Sequence, residues 1–202
     1  MLKIISQPIG KGRERACYVH PEDPRLAIKI PTGPVTSQTE REIKFYKGLK
    51  KRGLIDNVHI PKYFGICETS IGPGIVVELI RNYDGEIARP LNWYLAQGVP
   101  VEEFESYLEQ LKQSFLQDLI IFNHDMQIGN LLFHKTSMGS AQLVAIDGLG
   151  DTVAIDWLDH IPFLVRHKIN RRWKRFIKRV YRSQEVLAQR AAAAQTTKSW
   201  RS

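Results

Sequence analysis

The sequence predicts an α+β protein of two lobes, strand-rich up to about residue 80 and mainly helical afterwards. In the first part, the run LAIKI at residues 26–30 alternates side chains with the period of a half-buried strand. Turn-forming segments such as PTGP at 31–34 and SIGPG at 70–74 separate such runs. After residue 100, apolar residues recur every three or four positions, which is the helical period. We therefore predict a first lobe over 1–80, a link and reduced second lobe over 81–183, and a frayed or disordered tail over 184–202.

One helix is predicted in the first lobe. The segment SQTE at 37–40 has the form of a capping box with Ser37 at the N-cap, and the helix should end near Gly53. Residues four and seven apart align on a helix, so one face carries Glu42, Tyr46 and Leu49. A glutamate directed toward apolar neighbours needs a cation, and Lys29 is the candidate.

Two amphipathic helices are predicted in the second lobe. Pro100 should open the first, whose apolar stripe is Phe104, Leu108, Leu111, Phe115 and Leu119. The second has an apolar stripe of Val165, Ile169, Trp173, Phe176, Ile177 and Val180.

Between these helices lie two short polar segments that suggest a chemical site. HDMQIGN at 124–130 places Asp125 five residues before Asn130, and VAIDG at 144–148 places Asp147 after an apolar run. Phosphoryl transfer needs one carboxylate to position the nucleophile, and an amide oxygen with a second carboxylate to hold magnesium. The three side chains supply these groups in that order. Alternatively, all three are ordinary turn residues that bond their own backbone.

A glycine-containing turn precedes the strand lysine. Gly10 and Gly12 would let backbone N–H groups approach phosphate oxygens closely, and Lys29 follows Gly10 by nineteen positions. Taken singly, the turn is compatible with a plain hairpin and Lys29 with a solvated strand lysine.

Along the chain, the glycine turn, the strand lysine, the helix glutamate and the two polar segments follow one another in an order that resembles the protein-kinase-like superfamily. This resemblance extends from about residue 8 to about residue 152. The LAIKI run is similar to the kinase strand whose lysine pairs with nucleotide phosphates and with a helix glutamate. More narrowly, the chain resembles the YrbL family of small bacterial kinase-like proteins, described as part of a PhoP regulatory network, through residues 4–18, REIKFY at 41–46, IPKYFG at 60–65 and RWKRFI at 172–177. The resemblance implies an abbreviated two-lobed protein-kinase-like fold, with an antiparallel sheet and one helix in the N-lobe and a reduced, mainly helical C-lobe.

The resemblance also implies a site for ATP and Mg²⁺. Lys29, fixed by Glu42, would grip the α- and β-phosphates, and Asp125 would orient or deprotonate the acceptor hydroxyl. Asn130 and Asp147 would hold the magnesium ion. Further implied nucleotide contacts are Gly10 and Gly12 at the phosphates, the Glu78 carbonyl and Ile80 N–H at the adenine edge, Asp84 at the ribose, and Ile9, Ala27 and Leu132 on the faces of the base. For these apolar residues, ordinary core packing is the alternative.

The chain departs from the kinase pattern at several positions. Arg15 replaces the third glycine of the phosphate loop, and Gln127 replaces the lysine that follows the catalytic aspartate; both changes weaken contact with the transferring phosphate. No Ala-Pro-Glu segment follows Asp147, so we do not expect control by a phosphorylated activation loop. Two functions stay open: an ATP/Mg-dependent kinase-like phosphotransferase of unknown acceptor, and a nucleotide-binding pseudokinase that acts as a regulatory scaffold or sensor.

The net charge of +8 is concentrated in one segment. Residues 166–182 contain nine Lys or Arg and no acid, which leaves 20 basic against 21 acidic residues elsewhere. A basic amphipathic helix can bind an anionic membrane surface or an acidic partner. The alternative is a helix packed on the C-lobe with its charges solvated. Nothing beyond basic charge indicates nucleic-acid recognition, so we do not expect that partner.

Composition indicates the cytoplasm. The opening MLK lacks the apolar core of a signal peptide, and no run approaches the roughly 20 apolar residues that span a bilayer. Cys17 and Cys67 fit a reducing compartment. Peripheral association with the inner membrane would follow if the basic helix binds lipid.

Overall fold

The computed structural model describes residues 1–124, 126–150 and 161–199. The chain forms two compact units, Met1–Ile87 and Ala88–Ser202. The first combines an antiparallel sheet with one helix, and the second combines helices with a small sheet, so the predicted α+β class is confirmed.

Unit 1 contains a five-stranded antiparallel sheet with the order β1-β2-β3-β5-β4. Its strands are β1 (Gly10–Lys11), β2 (Arg15–Val19), β3 (Leu26–Pro31), β4 (Tyr63–Thr69) and β5 (Gly72–Glu78). On one face, Ile28, Ile30 and Val76 form an apolar cluster. Because side chains alternate along a strand, Ala27 and Lys29 belong to the opposite face.

The helix of unit 1, α1 (Ser37–Lys51), buries Glu42, Tyr46 and Leu49, as the periodicity predicted. The predicted N-cap was one residue late, because Thr36 occupies that position and its hydroxyl donates to the Glu40 carboxylate at 2.7 Å. The Ser37 hydroxyl and the Gln38 N–H instead donate to Glu14, each at 3.4 Å. A carboxylate from the β1–β2 turn thus satisfies donors that a helix start leaves without an internal partner.

Unit 2 begins with β6 (Arg89–Pro90) and α2 (Leu91–Ala96), followed by a 3₁₀ turn at Val101–Phe104 and α3 (Glu105–Gln117). A second 3₁₀ turn at Ile128–Asn130 leads into β7 (Leu131–Ser137) and β8 (Ser140–Ala145). These strands form an antiparallel sheet with the order β6-β7-β8. The long helix α4 (Pro162–Ser199) completes the described part of the unit.

Helix α3 ends earlier than its apolar stripe suggested. Phe104, Leu108, Leu111 and Phe115 are buried, but the helix stops at Gln117 and Leu119 adopts a left-handed conformation with φ 48°. The Ile120 N–H then bonds the Phe115 carbonyl at 2.8 Å, as in a Schellman turn. This turn ends the helix, so the expectation for Leu119 was wrong.

Helix α4 buries the predicted stripe, with Ile177 only half-buried. It continues through the range predicted as a frayed or disordered tail, and the Gln184 side chain accepts a hydrogen bond from the Val101 N–H at 2.5 Å. Alanine has the highest intrinsic helix propensity, which favours extension through the alanine-rich end. No helix within the described ranges is long and apolar enough to cross a membrane.

Candidate active site

The predicted pairing of Lys29 with Glu42 is present in unit 1. Lys29 on β3 donates from Nζ to Glu42 Oε1 on α1 at 2.7 Å, and both side chains are buried. Burying a carboxylate without a nearby cation costs free energy, so the charges of Lys29 and Glu42 compensate each other. The contact holds the lysine ammonium in a fixed place on the sheet.

A third charged residue that we did not predict joins this pair. Arg15, the first residue of β2, donates from Nη1 to Glu42 Oε2 at 2.5 Å and is buried. From the sequence, Arg15 was expected only as the replacement of a phosphate-loop glycine, and no contact with Glu42 was predicted. Its position on Glu42 gives unit 1 a buried cluster of two cations and one carboxylate.

Strand register explains why these residues meet. Cys17 lies opposite Lys29 in the β2–β3 ladder, and Arg15 precedes Cys17 by two positions on the same face. Glu42 therefore faces two cations that are diagonal neighbours on the sheet. Burial raises the pKa of the Cys17 thiol, and the adjacent Lys29 ammonium partly opposes this effect.

The glycine turn has the geometry of a tight hairpin. Gly10 lies on β1, and the Gly12 N–H bonds the Arg15 carbonyl at 2.8 Å. Gly10 is exposed and a Cβ there would meet nothing within 4 Å, so its backbone is open to approach. Ile9 is 42% exposed, whereas Ala27 is buried on β3.

The other implied nucleotide residues of unit 1 lie around the end of β5. The Glu78 N–H bonds the Lys62 carbonyl at 2.8 Å, and its carboxylate accepts from the Lys62 N–H at 3.2 Å. Ile80 is buried. The Asp84 carboxylate accepts from the Glu86 N–H at 3.0 Å within a turn, which is the ordinary role of such a residue.

In unit 2, the backbone brings the two polar segments together. Asn123 donates its N–H to the Gly148 carbonyl at 2.7 Å, and Gly150 donates to the Ile121 carbonyl at 2.9 Å. The Ile146 N–H bonds the Asn130 carbonyl at 2.9 Å. Asp125, the predicted acceptor-orienting residue, lies outside the described residues.

The Asn130 side chain lies beside the turn that carries Asp147. Its Nδ2 is 3.5 Å from the point where Gly148 would carry a Cβ, and Gly148 has φ +76°. The Asp147 carboxylate accepts from the Gly148 N–H at 2.7 Å. An amide oxygen and a carboxylate are hard ligands that suit Mg²⁺, which is usually held by one or two carboxylates together with substrate phosphates. Within the described ranges, no group of three or more His, Cys, Asp or Glu could by itself hold a metal ion.

Leu132, implied as a contact of the base, lies on β7 between Pro90 and Val144 and is buried.

Two arginines of α4 also reach this region of unit 2. Arg172 Nη1 donates to the Phe122 carbonyl at 2.5 Å, and Arg179 Nη2 donates to the Met126 carbonyl at 3.2 Å. The alternative of a packed helix with all its charges solvated does not hold for these two arginines, whose spacing within the apolar stripe of α4 was a signal that they face inward.

Comparison with known proteins identifies the family. The family model described as "PhoP regulatory network protein YrbL" matches residues 5–181. The chain belongs to this family. The predicted resemblance to YrbL proteins is therefore confirmed across nearly the whole chain.

Relatives in two bacteria illustrate this membership. The uncharacterized protein YrbL of Escherichia coli (strain K12) is 33% identical over 184 residues, covering 88% of this chain and 87% of that protein. The YrbL protein of Shigella flexneri matches with the same values. Among solved structures, a mutant kinase domain of Mycobacterium tuberculosis PknI is similar with a TM-score of 0.47 and 15% identity, covering 70% of this chain and 57% of that chain.

Proposed function

We propose that this YrbL-family protein is an ATP- and Mg²⁺-dependent phosphotransferase of the protein-kinase-like type. The observation that carries the proposal is the buried Lys29–Glu42 pair, at 2.7 Å between a central strand and the helix of unit 1. A lysine held in this way presents a fixed cation to phosphate oxygens. Gly10 and Gly12 supply backbone N–H groups in the same unit, with Glu78, Ile80 and Asp84 proposed along the nucleotide.

The unit 2 residues supply the rest of the proposed chemistry. Asn130 and Asp147 offer the oxygen ligands that Mg²⁺ prefers, and the bound ion would neutralise charge on the phosphates. Asp125 would orient the acceptor hydroxyl and accept its proton. The acceptor is unknown; the classes considered are a small molecule, a lipid-linked group, a restricted protein segment and a peptide.

Thermal unfolding with Mg-ATP tests this function. A ligand that binds only the folded state stabilises it by about 2.7 kcal/mol at 100 times its Kd. Lys29→Met should lose most of this stabilisation, whereas Lys44→Met, an exposed lysine on α1, should keep it. A wild-type protein whose unfolding temperature does not respond to Mg-ATP would contradict the proposal.

A second candidate is a nucleotide-binding pseudokinase that acts as a regulatory scaffold or sensor. The observation that favours it is Arg15, which replaces a phosphate-loop glycine and bonds Glu42 at 2.5 Å. The description of the family as part of a PhoP regulatory network also fits a regulatory role. Turnover separates the candidates: a phosphotransferase consumes ATP or labels itself or an acceptor in cell extract, whereas the pseudokinase binds Mg-ATP without turnover.

We also propose an anionic membrane surface as a partner of α4. Between residues 161 and 184 the chain has no acidic residue, and the exposed face carries cations together with Phe163, which is 75% exposed, and Leu164. Exposed apolar side chains beside cations favour lipid over nucleic acid, because they gain free energy only by leaving water. The exposed cations are Arg166, Arg171, Lys174, Arg175, Lys178 and Arg182.

A further inference from the structure

The cations of α4 between residues 166 and 182 point in two directions, toward solvent and toward the interior of unit 2. Most of its cations are exposed, but Arg172 is only 8% exposed and Arg179 is half-buried. They are seven residues apart, so two helical turns place them on one side of α4. These two side chains enter the interior of unit 2.

Both arginines bond backbone carbonyls at the ends of one short segment. Arg172 donates to the Phe122 carbonyl at 2.5 Å, and Arg179 donates to the Met126 carbonyl at 3.2 Å. In sequence, Asp125 falls between these two acceptors. Hydrogen bonds from a charged donor are stronger than neutral ones, so each contact restrains the backbone at its end.

The arrangement is not one that stability alone would favour. Burying a guanidinium is costly, and within the described residues Arg179 Nε is buried with no hydrogen-bond partner. Apolar packing already anchors the Phe122 end, where the ring lies edge-on to Trp173 at 5.8 Å. Local departures from optimal packing and hydrogen bonding are expected where function requires a particular geometry.

We propose that Arg172 and Arg179 are positioning residues for phosphoryl transfer, which hold the backbone at Phe122 and at Met126, on either side of position 125 in the sequence. The inference rests on the proposed function for the role of Asp125, but its structural part does not depend on turnover. Arg179 is the better residue to substitute, because it is half-buried and its loss disturbs the core less than the loss of Arg172, which is 8% exposed.

The test compares Arg179→Met with Lys135→Met, which removes an exposed cation from β7 of the same unit. Hydrogen exchange of a peptide covering residues 121–130 is measured for both variants, together with the unfolding temperature, the Kd for Mg-ATP and the rate of phosphoryl transfer. Arg179→Met should speed exchange in this peptide at least fivefold and lower kcat at least tenfold, with the Kd for Mg-ATP within twofold of wild type. Arg179→Lys, which keeps a charged donor, should recover part of both losses, and Lys135→Met should change neither.

The outcomes separate this inference from the proposed function. Unchanged exchange at 121–130 in Arg179→Met would overturn the positioning role, whether or not the protein turns over ATP. A loss of kcat that is matched by an equal loss of Mg-ATP binding and by faster exchange throughout unit 2 would also overturn it, because that pattern indicates a general structural role. If Arg179→Met speeds exchange at 121–130 and the wild type shows no turnover, the two arginines do hold this backbone, and the proposed phosphotransferase function is wrong.

Discussion

Replacing Glu42 with Gln removes a carboxylate that both Lys29 and Arg15 contact. The two cations contact it at 2.7 and 2.5 Å, and all three side chains are buried. Removing one partner of a buried ion pair costs about 3–5 kcal/mol, because the remaining charge loses its compensation. Because both cations contact this carboxylate, a loss of stability within that range is expected.

Thermal unfolding without nucleotide measures this effect. At about 2–4 °C per kcal/mol for a chain of this size, Glu42→Gln should unfold roughly 6–20 °C below wild type. Glu40→Gln is the matched control, since Glu40 lies on the same helix but is exposed, and it should cost no more than about 1 kcal/mol. Arg15→Met should destabilise wild type yet restore part of the stability of Glu42→Gln, because it removes one of the two cations that contact residue 42.

A Glu42→Gln protein that unfolds within about 1 °C of Glu40→Gln would refute this reasoning. It would mean that Lys29 and Arg15 do not depend on Glu42 for compensation. An Arg15→Met substitution that lowers stability equally in both backgrounds would likewise show that Arg15 and Glu42 are not coupled.

Three further predictions concern unit 2. Asp125→Asn should abolish turnover while leaving Mg-ATP binding within about threefold, whereas Asp147→Asn should weaken the magnesium-dependent part of binding; equal turnover in Asp125→Asn and wild type would exclude its proposed role. Trp173→Ala should cost about 3–5 kcal/mol in chemical denaturation, because the buried ring packs against Phe122 and Phe176; a cost below about 1 kcal/mol would contradict that packing. Wild type should sediment with anionic vesicles at low salt, and a much smaller fraction should do so at high salt. Replacing four exposed cations with Gln should abolish this binding with little change in unfolding temperature; they are Arg171, Lys174, Arg175 and Lys178.

The vesicle experiment has a matched control within the chain. Four exposed lysines of α1 can be replaced with Gln to make the same change in net charge: Lys44, Lys47, Lys50 and Lys51. If this variant loses vesicle binding as completely as the α4 variant, net charge alone accounts for the attraction. If wild type binds at neither salt concentration, α4 has no lipid partner.

Much of the fold was predictable because periodicity reports burial directly. The buried face of α1 and the stripe of α4 both follow from spacings of three and four residues. The contact between Lys29 and Glu42 was predictable because one buried acid needed a cation and one strand lysine was available. The position of Asp125 stays a sequence-based prediction.

The features that the sequence did not predict are contacts of long polar side chains and the position of the N-cap of α1. Arg15 could be placed on Glu42 only from the register of β2 against β3, which the sequence does not state. Arg172 lies three residues after Ile169 and four before Phe176, within the buried stripe, but residue type alone suggested solvent. The N-cap is Thr36 and not Ser37, whose hydroxyl donates to Glu14, a residue distant in sequence.

The turn between β1 and β2 is tied to α1 at two successive residues, which constrains how this turn can vary during evolution. Glu14 accepts from the start of the helix, and Arg15 bonds Glu42 one turn further along. A one-residue insertion between Glu14 and Arg15 would leave Arg15 fixed by the pairing of β2 with β3, but it would displace Glu14 from the start of α1. Relatives that keep both Glu14 and Glu42 should therefore keep the spacing of this turn. A lineage that lengthened it would need a new partner for the Gln38 N–H.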